Sequence, residues 1–522
     1  MIRTANPGRT LVKMASRKTL TVISFAAISL LVLLVTSKRL GSWSDFEAAY
    51  YHRDDGHKSS HHAPQGTLGE ETLEVDIPPP HHHSSAIVDD HNPDFPPRPM
   101  KDPVCDNFPD TSKILLVMKT GASESFNRVP TQLMTVLKCL PEFFIFGDMD
   151  QHIAGYHIHD SLETVLPEVK DKNPDFDLYR RQQWCLVDQD NCNKLGDPAR
   201  EGWDLDKYKN VHIAEKVYAL RPNYDWYVFV DADTYVLWPN MVEWLGQLNP
   251  KKKHYLGSLT LINNFGFGHG GSGYILSQAA MKPSVGQNPG IANRYDARTR
   301  NECCGDLVFA LALKDATGLV VQQMWPTING EKPSTFPFGP SHWCHPIVTM
   351  HHMNSEEISS FWEFERKWYN DRQNISEAWP LLLRDIYDEY LAPNLQEARE
   401  DWDNLSDNKL YLDTEDENRE WEDWQLDKMK NAKEYNEFEK KAHLSFEDCG
   451  KACKSLSDNE CFQWKYRDGI CSISDSFRLG KPVKKADREK DRMTSGWDIE
   501  KINKWIAKQG DCDEALWPKV RS

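Results

Sequence analysis

Alternation of short apolar runs with helix-patterned segments is the feature that most restricts what this chain can fold into. The runs Ile114 to Met118 and Phe143 to Phe146 flank residues 129–137, where apolar side chains recur on one helix face. Helical spacing returns from Val211 to Leu220, and a continuous apolar run then extends from Trp226 to Val230. This strand, helix, strand alternation predicts an α/β fold with a mostly parallel sheet.

Two carboxylates, Asp231 and Asp233, directly follow the last of these runs. They therefore emerge at the C-terminal end of a buried strand, which is where open α/β sheets bind ligands. Side chains two positions apart on an extended backbone share a face, so the pair suits a hard cation beside phosphate oxygens. An isolated Asp-x-Asp pair is more often a solvated turn. The buried strand before it favours the metal site.

Glycines cluster around Ser272, at Gly270, Gly271 and Gly273. Without side chains, such a segment lets the backbone approach a ligand closely, as the floor of a sugar-diphosphate site requires. Taken alone, the cluster is equally typical of a turn.

Three segments together resemble glycosyltransferase family 31, which includes the core 1 β1,3-galactosyltransferases and the Fringe-type N-acetylglucosaminyltransferases. The segments are Asp225 to Val236, Gly270 to Ser277 and Gly305 to Leu307, and they match the family in order and spacing. The resemblance extends from Ile114 to Met353, and the later segments look like the long fungal members of the family.

The resemblance implies a GT-A fold of Rossmann-like type, an inverting mechanism, a UDP-sugar donor, and manganese or another divalent cation as cofactor. The implied acceptor is a hydroxyl of a glycan or glycoprotein, and the implied linkage is β1,3. Galactose is the favoured hexose and N-acetylglucosamine the second choice.

The resemblance also implies particular metal ligands. In the family the motif reads Asp-Asp-Asp and its last carboxylate binds the metal, so this role falls on Asp233. Ala232 replaces the middle carboxylate, while Asp231 is retained as a further candidate ligand. The family's second protein ligand is a histidine near the end of the catalytic domain, here His351, with His352 next in line. The alternative is that both histidines are ordinary surface residues.

Contacts with the nucleotide-sugar are predicted at several positions. Lys209 matches a family lysine before the metal motif and is a candidate for the diphosphate, although a solvated helix lysine is the competing explanation. Thr120 and Asp148 each follow a predicted strand and are candidates for the nucleoside. The full set is Thr120, Asp148, Lys209, Asp231, Ala232, Gly270, Gly271 and Ser272.

Asp306 is the candidate catalytic base. An inverting transfer needs one carboxylate to take the proton of the acceptor hydroxyl. Asp306 opens an apolar run with helical spacing, which places it near a helix N-terminus, where the ionised form is favoured. The resemblance puts the family's base in the corresponding acidic segment, with Glu302 as the next candidate. The alternative is an aspartate that only caps the helix.

The N-terminus predicts a membrane anchor. Residues 19–37 carry no charge and, at helical rise, come close to the hydrocarbon thickness of a bilayer. Only basic charges precede them, so residues 1–18 are expected in the cytosol and the rest in the lumen. A cleaved signal peptide is the alternative, but the run is long for one. With the family resemblance, this predicts a single-pass type II Golgi membrane protein.

Twelve cysteines and two sequons, at Asn374 and Asn404, agree with a lumenal location, where disulfides persist and N-glycans are added. Composition divides the lumenal part into a disordered stem and three further segments. They are the stem 38–104, a catalytic domain 105–354, a charged helical extension and linker 355–441, and a cysteine-dense module with a tail 442–522.

The cysteine-dense module resembles a PAN/apple module. Zinc is the alternative use of its four closely spaced cysteines, but paired Cys-x2-Cys knuckles are missing, and a lumenal location favours oxidation. The resemblance implies the disulfides Cys449–Cys471 and Cys453–Cys461.

A net charge of −17 argues against nucleic acid as a partner, because the chain would repel phosphate backbones. The expected partners are the UDP-sugar, the glycan or glycoprotein acceptor, and the membrane through one N-terminal helix. Two other functions compete: a non-catalytic chaperone with a glycosyltransferase-like fold, and a carbohydrate-binding membrane protein that works through its C-terminal module. The presence of Asp231, Asp233, Asp306 and His351 favours the enzyme.

Overall fold

The computed structural model describes residues 102–185, 187–339, 342–372, 379–415, 419–429 and 432–521. The predicted cytosolic tail and anchor, the stem up to residue 101 and the sequon at Asn374 lie outside these residues. Within the described ranges, no helix combines the length and the apolar character that crossing a bilayer requires.

The described residues form short strands and helices, numbered here in chain order. The strands are β1 Ile114–Lys119, β2 Phe143–Gly147, β3 Gln151–Ile153, β4 Tyr156–Asp160, β5 Trp226–Asp231, β6 Tyr235–Val236, β7 Tyr255–Gly257, β8 Leu259–Ile262, β9 Phe265–Gly268, β10 Tyr274–Ser277, β11 Gln322–Gln323, β12 Thr349–Met350, β13 Ala398–Glu400, β14 Trp402–Asp403, β15 Lys409–Tyr411, β16 Gln463–Arg467, β17 Ile470–Ser474, β18 Lys481–Pro482 and β19 Thr494–Trp497. The helices are α1 Ser125–Met134, α2 Pro167–Lys170, α3 Asp177–Trp184, α4 Gln189–Asn193, α5 Pro198–Asp206, α6 Lys209–Leu220, α7 Trp238–Gly246, α8 Gln278–Met281, α9 Ile291–Thr299, α10 Gly305–Thr317, α11 Ser355–Arg372, α12 Leu383–Ile386, α13 Asp423–Asp427, α14 Phe446–Ser455 and α15 Ile499–Gln509.

An eight-stranded sheet organises the first part of the fold, in the order β11-β7-β10-β5-β1-β2-β4-β3. Parallel pairs join β1 to β2 and β5, β2 to β4, and β7 to β11. The pairs that include β10, and the β3–β4 pair, are antiparallel. The predicted α/β class with a mostly parallel sheet is confirmed.

Both faces of this sheet are buried, which explains why β1, β2 and β5 are apolar at nearly every position. Along β1, Ile114, Leu116 and Met118 pack into one hydrophobic cluster, and Leu115 and Val117 pack into another on the opposite face. The first cluster includes side chains of α7 and α11, and the second includes side chains of α6 and α10. The strands are therefore fixed from both sides, and their C-terminal ends are held in place.

A five-stranded antiparallel sheet organises the C-terminal part, in the order β13-β19-β16-β17-β15. Its strands β13 and β15 come from the segment that the sequence predicted to be a helical extension and linker. The predicted boundary at residue 441 is therefore not a division in the fold. The two short strands become ordered because they pair with β19 and β17, far away in sequence.

The C-terminal sheet also shares a hydrophobic core with the eight-stranded sheet. Phe462, Phe477 and Trp497 belong to the same buried cluster as Ile114 and Leu116. The segments predicted as separate catalytic and cysteine-dense units thus pack as neighbours around one core.

Asn404 lies in the interior of this C-terminal part and is 0% exposed. Its side-chain nitrogen donates to the carbonyls of Trp464 at 3.0 Å and Gly496 at 3.2 Å, and its oxygen accepts from Ser406. This contradicts the predicted glycosylation of Asn404, because the nitrogen that would carry the glycan is buried and both its hydrogens are used.

All twelve cysteines are paired. The structure contains Cys449–Cys471 and Cys453–Cys461, the two pairs implied by the module resemblance, with Cys449 and Cys453 both on α14. The sequence had not assigned the other four pairs, which are Cys105–Cys139, Cys185–Cys192, Cys303–Cys304 and Cys344–Cys512. The last of these ties the C-terminal tail to the first part of the fold.

Candidate active site

Asp231 and Lys119 stand side by side at the C-terminal ends of two central strands. The parallel register of β1 and β5 pairs residue 119 with residue 231, and the Lys119 ammonium lies 3.4 Å from Asp231 Oδ1. Lys119 also forms a short ion pair with Asp206 at the end of α5. Burial raises the pKa of Asp231, against the lowering effect of Lys119. Asp231 is thus a partly buried carboxylate with a cationic partner.

Asp233 meets two histidines because β6 pairs with β12. The antiparallel register places Thr349 opposite Val236 and Met350 opposite Tyr235, so the chain that follows β12 runs back past Asp233. His351 Nε2 lies 3.2 Å from Asp233 Oδ1. One ligand atom from each of Asp233, His351 and His352 lies within 4.8 Å of the others. Of the predicted metal ligands, the structure brings Asp233 and His351 together, and His352 rather than Asp231 completes the group.

Opposite charges surround the Asp233 carboxylate. Arg128 on α1 lies 3.0 Å from Asp233 Oδ2, on the oxygen that His351 leaves open. Burial alone would raise the pKa of Asp233, but His351 and Arg128 outweigh it and hold that pKa well below its usual range. Burial alone would lower the pKa of His351, but Asp233 outweighs it and that pKa is raised. Asp233 is therefore ionised over the whole physiological range.

The His351 ring fits into space that only a glycine leaves free. A Cβ atom on Gly271 would lie between 2.1 and 2.7 Å from three atoms of that ring. His351 Nδ1 is buried and has no hydrogen-bond partner among the described residues. His352 has a φ of 60°, a left-handed conformation that is strained for a residue with a side chain. A fixed imidazole, a second strained imidazole and an ionised carboxylate form a nitrogen and oxygen donor set that fits manganese.

The glycine loop, residues 269–273, connects this group to the candidate base. Thr234 Oγ donates to the Gly271 carbonyl at 2.6 Å, and Thr349 Oγ donates to the Ser272 carbonyl at 2.7 Å. On the other side, the Gly270 N–H donates to Asp306 Oδ2 at 2.8 Å. The loop is thus held by the turn between β5 and β6, by β12 and by α10.

Asp306 lies in the first turn of α10, as the sequence predicted, but Cys304 and not Asp306 occupies the N-cap position. Its two carboxylate oxygens accept from the Gly270 and Leu307 backbone N–H groups, both at 2.8 Å. Burial raises the pKa of Asp306 to about 6, in spite of these two hydrogen bonds. A carboxylate with this pKa is ionised at neutral pH and still basic enough to take a proton.

Three of the predicted nucleotide-sugar contacts meet one another in the interior. Lys209 is 2% exposed, and its ammonium donates to the Thr120 carbonyl at 3.0 Å and lies 3.4 Å from Asp148 Oδ2. Thr120 and Asp148 are buried as well. The structure therefore uses Lys209 to neutralise Asp148 beneath the strand ends. The alternative of a solvated helix lysine is therefore wrong, and the diphosphate contact of Lys209 stays a prediction.

Ala232 is also buried, and its backbone helps to set the position of the metal motif. Its N–H donates to the Lys119 carbonyl at 2.8 Å, and its carbonyl accepts from Gln132 at 2.7 Å. A side chain larger than methyl would have little room here, since Ala232 belongs to the buried core.

Sequence reasoning missed four charged residues of the site: Lys119, Glu124, Arg128 and Asp206. Glu124 and Arg128 are joined by an ion pair of 2.7 Å, one helical turn apart. A useful signal was present, because both follow the first apolar run, in the segment where a strand end leads into a helix. No protein-family model matches the chain.

Proposed function

We propose that this protein is an inverting, metal-dependent glycosyltransferase of the GT-A type. It transfers a hexose, with galactose favoured, from a UDP-sugar to a hydroxyl of a glycan or glycoprotein, and forms a β1,3 linkage. The observation that carries the proposal is the convergence on one glycine loop of an acidic strand end, two histidines and an aspartate with a raised pKa. Together with the loop itself, these groups come from four separate parts of the chain.

Asp233, His351 and His352 are the residues that would hold the divalent cation, and Asp231 lies next to them on the same strand end. When bound, such a cation offsets the charge of the diphosphate and so assists its departure. Arg128 and Lys119 add two fixed positive charges beside Asp233 and Asp231. A doubly charged leaving group is best stabilised by charges that are already in position.

Asp306 is the proposed base. Its carboxylate is held by two backbone N–H groups, so its oxygens keep a fixed direction when an acceptor arrives. It accepts the proton of the acceptor hydroxyl as that oxygen attacks the anomeric carbon from the side opposite the diphosphate.

The proposed setting is the Golgi lumen, with residues 19–37 as a type II membrane anchor. Support comes from the six disulfides, which persist in oxidising compartments and are rare in the cytosol. The C-terminal sheet is proposed to support the site through the shared core.

The test is calorimetry of manganese and UDP binding to the purified full-length chain, combined with a screen of UDP-hexoses for hydrolysis and transfer. We expect manganese-dependent turnover of one UDP-hexose, and loss of both manganese binding and turnover in Asp233→Ala. Manganese-independent glycan binding without turnover would instead favour the carbohydrate-binding protein. A chain that binds neither manganese nor UDP would favour the chaperone.

A further inference from the structure

His269 begins the glycine loop, and its hydrogen bonds fix which ring nitrogen carries the proton. The Ser272 backbone N–H donates to His269 Nδ1 at 3.1 Å. Ser272 Oγ lies 2.8 Å from the same nitrogen. A backbone N–H can only donate, so Nδ1 must be an acceptor and carries no hydrogen. In a neutral imidazole the other nitrogen, Nε2, is then the protonated one.

The Nε2–H group of His269 has no hydrogen-bond partner among the residues that the structure describes. Both polar contacts of the ring are made by Nδ1. The residue is only partly buried, and Nε2 is not among the buried polar atoms that lack a partner. A fixed donor is therefore accessible at the surface of the site.

His269 lies close both to a proposed metal ligand and to the proposed base. The His269 ring packs edge to face on the ring of His351, with centroids 5.5 Å apart. The next residue, Gly270, donates its N–H to Asp306. His269 thus lies between the residues that would hold the diphosphate's cation and the carboxylate proposed as base. In an inverting displacement the sugar must occupy the space between leaving group and base.

The chemistry of the donor fits a sugar hydroxyl, because other groups of the site already offer positive charge to a phosphate. The site already has cations for a diphosphate in Lys119 and Arg128. A neutral N–H group can donate to a hydroxyl oxygen, and hydroxyl groups are the acceptors that a hexose offers. The ring is held by its two contacts with Ser272. Gly330 packs closely on the same hydroxyl, since a Cβ there would lie only 2.8 Å from Ser272 Oγ.

We propose that His269 is a specificity residue for the donor sugar, and that its Nε2–H donates a hydrogen bond to a hydroxyl oxygen of the transferred hexose. The inference rests on the proposed function, since it deepens the assignment of the same site. It predicts that the residue distinguishes UDP-hexoses and leaves the recognition of UDP itself unchanged.

Calorimetry with the full-length chain in manganese tests this proposal, with UDP and UDP-galactose as the probes. His269→Ala should weaken the binding of UDP-galactose about fivefold, the value of one neutral hydrogen bond, and change that of UDP less than twofold. His269→Gln should restore most of the loss, because its amide N–H can reach the place of Nε2. His152→Ala, an exposed histidine on the edge strand β3, is the matched control and should change neither.

Deoxy analogues of UDP-galactose identify the acceptor oxygen. The wild type and His269→Ala should bind equally the one analogue that lacks the partner hydroxyl. An equal loss of UDP and UDP-galactose affinity in His269→Ala would overturn the inference and leave the proposed function standing. A wild type that binds no UDP would overturn both. Independently, ¹⁵N chemical shifts of labelled histidine, assigned by difference with His269→Gln, must show Nε2 protonated; a protonated Nδ1 overturns the inference.

Discussion

Replacement of Asp306 by asparagine is the sharpest test of the proposed base. In the native protein, two N–H groups, from Gly270 and Leu307, donate to the two carboxylate oxygens at 2.8 Å each. Asparagine keeps one oxygen and places an NH₂ group against the other N–H. The loss of one hydrogen bond should cost about 1 kcal/mol of folding free energy, which leaves the protein folded.

The kinetic effect should be much larger than this structural one. Loss of a positioned general base lowers the rate by about 10²- to 10⁴-fold. Wild-type turnover should also depend on pH in a defined direction, because the pKa of Asp306 is raised by burial to about 6. The base works in its ionised form, so kcat/KM should be flat above about pH 7 and fall tenfold per pH unit well below 6. Asp306→Asn should retain a small rate that lacks this fall.

Three measurements on each protein give the answer: kcat/KM from pH 4.5 to 8, manganese and UDP affinity by calorimetry, and thermal unfolding. Glu302→Gln is the matched control, since Glu302 lies four positions before Asp306 and pairs with Arg298 at 3.0 Å. It should keep the wild-type rate and profile. Near-normal turnover by a folded Asp306→Asn protein would remove Asp306 from the mechanism and make Glu302 the next candidate.

Three further predictions rest on the contacts of Gly271 and Asn404. Gly271→Ala should lower manganese affinity by at least about tenfold in calorimetry, because its Cβ would displace the His351 ring. Gly246→Ala is the control and should have no effect, since a Cβ there has nothing within 4 Å. Unchanged affinity in Gly271→Ala would contradict the assignment of His351 as a metal ligand. Asn404→Ala should destabilise the protein by about 2–4 kcal/mol in chemical unfolding, because two buried carbonyls lose their donor. Mass spectrometry of the secreted lumenal part should find Asn404 without a glycan, and a glycan there would contradict the buried placement.

The sequence predicted best where a local pattern and a burial requirement agree. The runs that became β1, β2 and β5 are apolar throughout because both faces of each strand are covered, and such runs are visible without any partner. The positions of Asp231 and Asp233 could also be predicted locally, because they follow from where the apolar run of β5 ends. The placement of Asp306 near the start of a helix also came from local spacing.

Prediction was weakest where a residue's role depends on partners far away in the chain. In the sequence, Lys209 looks like an exposed lysine on a helix. In the structure it is buried against Asp148 and Thr120, which follow two strands distant in sequence, and it neutralises the charge of Asp148. Asn404 belongs to an Asn-x-Ser sequon, but in the structure its side chain is buried and donates to backbone carbonyls of β16 and β19. Strands β13 and β15 carry little apolar signal, because their order comes from backbone pairing with β19 and β17.

The sequence by itself determined the α/β class, the central apolar strands and the carboxylates at their ends, since these depend on the period of a few neighbouring side chains. Only the tertiary structure decided that His351 and His352 lie beside Asp233 and that Arg128 forms an ion pair with the Asp233 carboxylate. The same is true of His269, whose hydrogen bonds leave one N–H group as a fixed donor. Those facts depend on strand register and on hydrogen bonds between distant segments. Many sequences share the same local pattern of apolar and polar residues. The free energy that favours one set of long-range strand pairings over others is spread over the whole packed core.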